Sequence, residues 1–153
     1  MIRQAEHTDL EALVAGNLAM AQETEHLQLD PEVLRAGVAA VLDERVPGRY
    51  YVFEEAGRVL AQLMITFEWS DWRNCLVWWI QSVYVDPAHR QRGLYRQLYA
   101  VVREEARAAG AAGLRLYVDA TNTRAQAVYT TLGMDGGHYR VFEAMFEERR
   151  REG

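Results

Sequence analysis

The 153-residue chain contains no lysine; all 17 of its basic residues are arginine. That absence excludes Schiff-base catalysis, a P-loop lysine and regulation by self-acetylation of lysine. Cysteine occurs once, at Cys75, so there is no internal disulfide and no thiolate metal cage. The histidines His7, His26, His89 and His138 are scattered without metal-ligand spacing, and no metal site is expected. A formal net charge of -5 argues against nucleic acid as a partner, since phosphate backbones are bound by excess positive charge. No apolar run reaches the ~18 residues that a membrane span needs, and the start, MIRQAEHTDL, is too polar for a signal peptide. The expectation is a cytoplasmic protein that does not engage a membrane.

The length fits one domain over residues 1–153 with room for a real core, and half of the residues are hydrophobic. Ile2 to Ala5 reads as a first strand. Thr8 with Glu11 three residues on makes a capping box, and the apolar stripe behind it predicts a helix to about Ala21. Asp30-Pro31 opens a second helix, with a polar segment, Glu23-Thr24-Glu25-His26, between the two. Three strands follow, at Tyr50 to Glu54, Val59 to about Trp69 and Leu76 to Val85, joined by turns at Gly57 and at Ser70 to Asn74. A helix ends near Ala109, Leu114 to Val118 is another strand, and Thr123 to Leu132 is a short helix stopped by Gly133. Tyr139 to Phe146 is expected to close the sheet. Glu147 to Gly153 reads as a frayed, solvated tail.

The stretch Gln81 to Tyr99 carries the densest signal. Ser82, Val83, Tyr84 and Val85 suit a buried strand that stops at Asp86-Pro87. Arg90, Gln91, Arg92 and Gly93 then lead into Leu94, Leu98, Val101 and Val102 at helical spacing. A helix start leaves N–H groups unpaired and carries partial positive charge, Gly93 lets the backbone come close to a ligand, and two arginines add formal charge. Such a turn fits an anionic group, most simply a pyrophosphate.

Arg90, Gly93 and Leu94, behind a strand ending in Val83-Tyr84-Val85, resemble the acetyl-CoA-binding signature of the GCN5-related N-acetyltransferases (GNAT). Their pattern is arginine or glutamine, two residues, glycine, one residue, then glycine or alanine. Tyr95 stands at that last position, so either its ring turns away while the backbone still donates, or the pocket is reshaped. A second stretch, Asn122 to Met134, resembles the family's later motif, an asparagine after the fifth strand, a tyrosine on the next helix and a Leu-Gly-Phe-like close, here Leu132-Gly133-Met134. The resemblance spans the chain and is weakest before Pro47. It implies an α/β (α+β) fold: a mixed, mostly antiparallel twisted sheet of about six or seven strands flanked by about four helices. It also implies acetyl-CoA as co-substrate, held by Val83, Tyr84, Val85, Arg90, Gln91, Arg92, Gly93, Leu94, Tyr95, Arg96, Asn122, Ala125 and Tyr129. Homodimerisation is a further family-level expectation.

Acetyl transfer to an amine requires a neutral nucleophile, a donor to the carbonyl oxygen and a route for the thiolate to leave. An alkyl amine with a pKa near ~10.4 is neutral at pH 7 only at a cost of roughly 4 to 5 kcal/mol. By resemblance, the N–H of Val83 or Val85 polarises the carbonyl and the Tyr129 hydroxyl faces the coenzyme sulfur as candidate general acid. A tyrosine near ~10 is a weaker acid than a thiol near ~8.5, so hydrogen-bond donation describes its part better than full proton transfer. Gln81 and Ser82 cannot serve as a base at neutral pH. Glu25, with Glu23 behind it, is the favoured base, ahead of Glu68 and Asp71, because the segment between the first two helices flanks the acceptor in this family. Trp69, Trp72, Trp78 and Trp79 crowd the strand before the motif. Trp78 and Trp79 must face opposite sides, so at most one of them joins a pocket. Glu23, Glu25, Trp72, Trp79 and Gln81 form the expected acceptor site, through cation–π contact and acidic charge.

These features point to N-acetylation of a small amine, such as a polyamine, amino acid or aminoglycoside-like compound, by direct transfer in a ternary complex. Two alternatives remain at this point: an acetyltransferase for protein N-termini, and an acyl-CoA-binding sensor without activity.

Overall fold

A computed structural model describes residues 1–146. Five strands form one sheet in the order β1-β2-β3-β4-β5, with β1 at Ile2–Gln4, β2 at Arg49–Glu55, β3 at Arg58–Ser70, β4 at Cys75–Val85 and β5 at Leu114–Arg115. The first four pair antiparallel, and β5 joins β4 in parallel. Four α-helices accompany them: α1 at Leu10–Glu25, α2 at Pro31–Leu42, α3 at Leu94–Ala108 and α4 at Thr123–Thr131. Local chemistry starts α2, where Asp30 accepts the N–H of Glu32 and Pro31 holds the first helical position.

Alternation along the strands divides the core between two faces. On one, Tyr51, Leu63, Ile65, Trp78 and Ile80 pack against Leu98 and Val102 of α3. On the other, Tyr50 and Val52 meet Leu13 and Val14 of α1 and Val38 and Val41 of α2. Gln62, like Asn17 of α1, is a buried polar side chain in that second layer. Its Nε2 donates to the Leu13 carbonyl at 3.2 Å, and its amide lies so close to Gly16 that a Cβ there would sit 2.3 Å from Oε1. Gly16 thus lets α1 lie down on the sheet.

Several expectations need correction. The capping box at the first helix is made by Glu6 and Asp9 around a 3-10 turn, His7–Asp9, and not by Thr8 and Glu11. Asp9 wins because it has the better partners: it accepts the Glu6 N–H at 2.8 Å and both Arg3 Nη atoms at 2.7 and 2.9 Å. Helix α1 runs on to Glu25, so the acidic segment expected between two helices is the last turn of the first. β5 covers two residues where five were expected. Residues 139–146 form no strand, which leaves five strands among the described residues instead of six or seven. Their apolar spacing is strand-like, but a strand needs a ladder and none joins them to a described strand. The expected tail at 147–153 lies outside the described residues.

The Arg3 guanidinium holds the Asp9 carboxyl below the usual carboxylate range. A lowered native pKa means that the ionised form supports folding above the unfolded value of ~3.9 and that this support drains away as pH falls through the native value. Asp9→Asn is therefore expected to be less stable than the parent at pH 7, with the difference in Tm narrowing below about pH 4. A constant difference across pH would show that the ion pair contributes nothing.

Candidate active site

The β3–β4 ladder is broken once. Gln62 pairs with Tyr84 and Met64 with Gln81, so two steps on β3 face three on β4. The surplus residue is taken up at Ser82, which adopts a left-handed φ of 53°. On the other side, β4 pairs with β5 only at Trp78 and Trp79. Past those rungs the end of β4 and residues 116–118 share no ladder, a break in pairing that we call the wedge. The Val83 and Val85 side chains pack into the core, so only their backbone is presented to a ligand.

At the end of β4 the chain enters the turn 90–93, where Gln91 and Gly93 both have positive φ, 65° and 74°. Alternating handedness gathers successive N–H groups into a concavity that suits anions. Gly93 is the N-cap of α3 without a side-chain cap, and no atom lies within 4 Å of where its Cβ would be. The backbone is therefore open to an approaching group. Leu94 is buried, so it too can offer a ligand only its backbone, while Arg96 is exposed on the first turn of α3.

The two arginines do not bring free charge. Arg90 Nη2 donates to Glu23 Oε2 at 2.6 Å and its Nε to the Val85 carbonyl at 3.0 Å, with the guanidinium 5.7 Å from the Tyr84 ring centroid. Arg92 is paired with Glu55 at 3.0 Å. Glu23, expected near the acceptor, is thus a tether between α1 and the turn. Glu25 is the last residue of α1, half-buried, just before the left-handed cap His26.

Asn122 and Ala125 come together as a helix cap, Asn122 Oδ1 accepting the Ala125 N–H at 3.1 Å at the start of α4. Tyr129 lies one turn further along. Burial alone pushes its hydroxyl above the usual tyrosine value, which keeps it protonated and able to donate at neutral pH. Its ring meets that of Tyr95 at 5.8 Å, edge to face, and Tyr95 also touches Tyr99 at 6.2 Å. The Tyr95 ring has therefore turned away from the phosphate side of the turn and into the gap between α3 and α4. Its Oη is the buried side-chain polar atom left without a hydrogen-bond partner among the described residues. An open glycine, a gathered row of N–H groups and an orphaned hydroxyl fit a long ligand with an anionic end.

On the opposite face of the sheet, Trp79 is half-buried and its Nε1 donates to Glu68 Oε2 at 2.5 Å. Arg115 Nη1 donates to the same oxygen at 3.2 Å, and Tyr117 lies 5.8 Å from Trp79. Gln81 Nε2 donates to Thr66 Oγ1 at 2.5 Å. The Trp79 N–H, then Arg115, hold the Glu68 carboxyl below its ordinary range, a poor setting for a base. Trp78 faces the α3 core, edge-on to Phe67. Trp72 stands in the hairpin turn, 90% exposed, and is not gathered with Trp79. Arg115 and Tyr117 escaped the sequence reading, although their alternation with Leu114 and Leu116 marks them as the polar face of that strand. A concavity of about 410 Å³ lies at the hairpin end beside Trp69 and Cys75; Phe67 and Trp78 line it, and Glu68, Trp79, Gln81 and Arg115 do not.

Fold and site together define an acyltransferase. Residues 17–134 match the Acetyltransferase (GNAT) family. A crystal structure of a possible acetyltransferase from Clostridium difficile 630 is 38% identical, with a TM-score of 0.89 over 97% of this chain and 98% of that one. The fold is shared with a ribosomal-protein-alanine N-acetyltransferase from Brucella melitensis biovar Abortus 2308 (13% identity, TM-score 0.78, 95% and 99% covered). It is also shared with AAC(6')-Iy, solved in complex with a bisubstrate analog, CoA-S-monomethyl-acetylneamine (21% identity, TM-score 0.75, 95% and 97% covered). No curated protein matches. The chain belongs to the GNAT acetyltransferase family, whose co-substrate is acetyl-CoA. It is an N-acetyltransferase.

Because the Tyr95 hydroxyl has no hydrogen-bond partner among the described residues, Tyr95→Phe is expected to leave the Tm of the free protein unchanged or to raise it. Tyr95→Ala, which removes the ring between α3 and α4, should lower stability by about 3 kcal/mol. Thermal unfolding of the two variants checks both; a clear loss in Tyr95→Phe would mean that the hydroxyl is bonded in the free protein.

Proposed function

We propose that this acetyltransferase, working as one unit in the cytoplasm, moves the acetyl group directly from acetyl-CoA to the amine of a small molecule in a ternary complex. The observation that carries this is the break at Ser82, with the N–H-rich turn at one end of the wedge and Tyr129 on the helix beside it. Acetyl-CoA supplies an acyl group activated as a thioester. The α3 N-terminus and the turn 90–95 hold its anionic end, and the backbone N–H of Val83 or Val85 donates to the carbonyl oxygen. Tyr129, protonated by virtue of its burial, donates toward the sulfur.

Direct transfer is supported by the position of Cys75, seven residues from Ser82 along β4, or about 23 Å in an extended strand. The acceptor would lie against Trp79 and Gln81. A polyamine, an amino acid or an aminoglycoside-like compound suits that surface, where Glu68 is 43% exposed beside the indole. The names of AAC(6')-Iy, solved with an acetylneamine analog, and of the Brucella ribosomal-protein-alanine enzyme span both kinds of acceptor; the Glu68 carboxylate held beside the Trp79 indole and Tyr117 supports the small amine. Glu25 takes the ammonium proton in this reading, because Glu23 and Glu68 are already engaged in ion pairs.

Acetyl-CoA is expected to raise the Tm of the protein and to bind in the micromolar range, on the order of 8 kcal/mol; no shift and no binding would remove the proposal. A panel of small amines and N-terminal peptides, followed by free-thiol release, decides the acceptor. Release only with peptides would move the assignment to protein N-termini, and binding without release across the panel would leave a coenzyme sensor.

Tyr129→Phe should lower kcat on the order of 100-fold while leaving the Kd for coenzyme A within about threefold. An unchanged kcat would end its role as acid.

A further inference from the structure

Three of the described arginines are half-buried: Arg3, Arg49 and Arg115. Arg3 holds Asp9 and Glu54, and Arg115 holds Glu68. Arg49, the first residue of β2, forms no ion pair among the described residues. Its guanidinium carbon lies 5.5 Å from the Phe67 ring centroid and 5.2 Å from that of Trp78. Its Nη1 reaches Tyr51 Oη only at 3.5 Å, and Tyr51 gives its own hydroxyl proton to Glu105. Taking a guanidinium part-way out of water is unfavourable unless something compensates it. Two aromatic rings do so in part, and they leave most of its five N–H donors unused.

Arg49, Phe67 and Trp78 line the concavity of about 410 Å³ at the hairpin end, a volume within the range of small-molecule sites, about 300 to 1,000 Å³. Trp69 and Leu76, 60% and 37% exposed, add an apolar wall. The far side is the turn after α3, Ala109-Gly110-Ala111, whose side chains are too small to cover the opening. Gly110 has a φ of 80° and open space where a Cβ would be. Arg49 is the one charged side chain among the described residues that line this space.

We propose that the concavity binds a small aromatic carboxylate, with the carboxylate in the fork of Arg49 and the ring against the apolar wall. Charge complementarity selects an anion, the planar fork selects a pair of coplanar oxygens, and the wall selects a flat apolar body. A dianionic phosphate fits less well. It would need a second cation or a helix N-terminus, and the helix end here is the C-terminus of α3, whose partial charge is negative.

This site stands apart from the coenzyme and acceptor assignments. Cys75, at its edge, is seven residues from Ser82, about 23 Å along an extended strand. The two sites meet only through the sheet. Trp78, paired with Leu114, faces this concavity, and Trp79, paired with Arg115, faces the other side.

Cys75 is the chain's single cysteine and lines the concavity, so its reactivity reports on occupancy. In the full chain, labelling of Cys75 by iodoacetamide, followed by mass, is expected to slow at least about fivefold with 2-naphthoate, the half-effect falling at about 1 mM or below, the reach of a ligand of this size. The neutral isostere 2-naphthamide should protect at least about tenfold more weakly, because it cannot make charge-assisted bonds to the fork. Saturating coenzyme A should leave the protection in place. Arg49→Gln should weaken naphthoate at least about tenfold. Ala109→Trp, which fills the mouth from an exposed position and keeps the charge, should do the same, with thermal unfolding showing that both variants fold. No protection by naphthoate, equal protection by the amide, or protection that survives both variants overturns the proposal. Protection abolished by coenzyme A overturns it too, by placing naphthoate in the coenzyme site. A rise in Cys75 reactivity on dilution, together with a halving of the mass in light scattering, would give the concavity to a second copy and overturns it as well.

Discussion

The donor side of this enzyme depends on one backbone angle, the φ of 53° at Ser82. For a residue with a side chain, the left-handed region costs about 1 to 2 kcal/mol. The flanking ladder offsets it. β3 and β4 are 13 and 11 residues long and pair on both sides of the break, from Ala61–Val85 at one end to Ser70–Cys75 at the other. Without the extra residue, β4 would continue in register and its last four residues would be free to extend the parallel pairing with the chain after Arg115. With it, the pairing to β5 stops after Trp79 and strand N–H groups remain for a ligand. The wedge is thus a consequence of register, and the long hairpin is what allows the sheet to carry the strain.

The same economy of charge runs through the turn that follows. Arg90 and Arg92 are neutralised by Glu23 and Glu55, which reach them from 67 and 37 residues away. What favours an anion at Gly93 is therefore mostly the α3 N-terminus and the gathered N–H groups, which cannot be neutralised by a side chain. The arginines act first as ties, one to α1 and one to the end of β2. Because each guanidinium has five donors, it can hold its carboxylate and still contribute to a ligand. Such an arrangement fixes the turn in the free protein.

What could be read from the sequence was whatever is encoded within a turn or two. The strand Leu76 to Val85, the helix behind Gly93, the cap at Asp30-Pro31 and the opposite facing of Trp78 and Trp79 all follow from local spacing. Pairings across the chain did not. Glu23 was legible as an acidic residue near the site but not as the partner of Arg90, and Glu68 was legible as a carboxylate but not as one held by Trp79 and Arg115. The capping box was placed two residues late because Arg3, on a different element, selects Asp9. Residues 139–146 have the composition of a strand, and composition says nothing about whether an edge is within reach.

Tyr95 shows how such a departure can become part of the design. Where the family keeps glycine or alanine, a tyrosine looks like an obstacle to phosphate, yet its ring points into the gap behind the turn. No residue of α4 is fully buried, and Tyr129 is half-buried. The helix's hold on the body comes from Leu132 and Met134 just beyond it and from Tyr129 against Tyr95. A small residue at position 95 would leave that gap empty and Tyr129 unsupported. The large side chain thus joins α3, which begins just after Gly93, to α4, which carries Tyr129. The two packed rings link α3 to α4 by contact in which neither hydroxyl is needed.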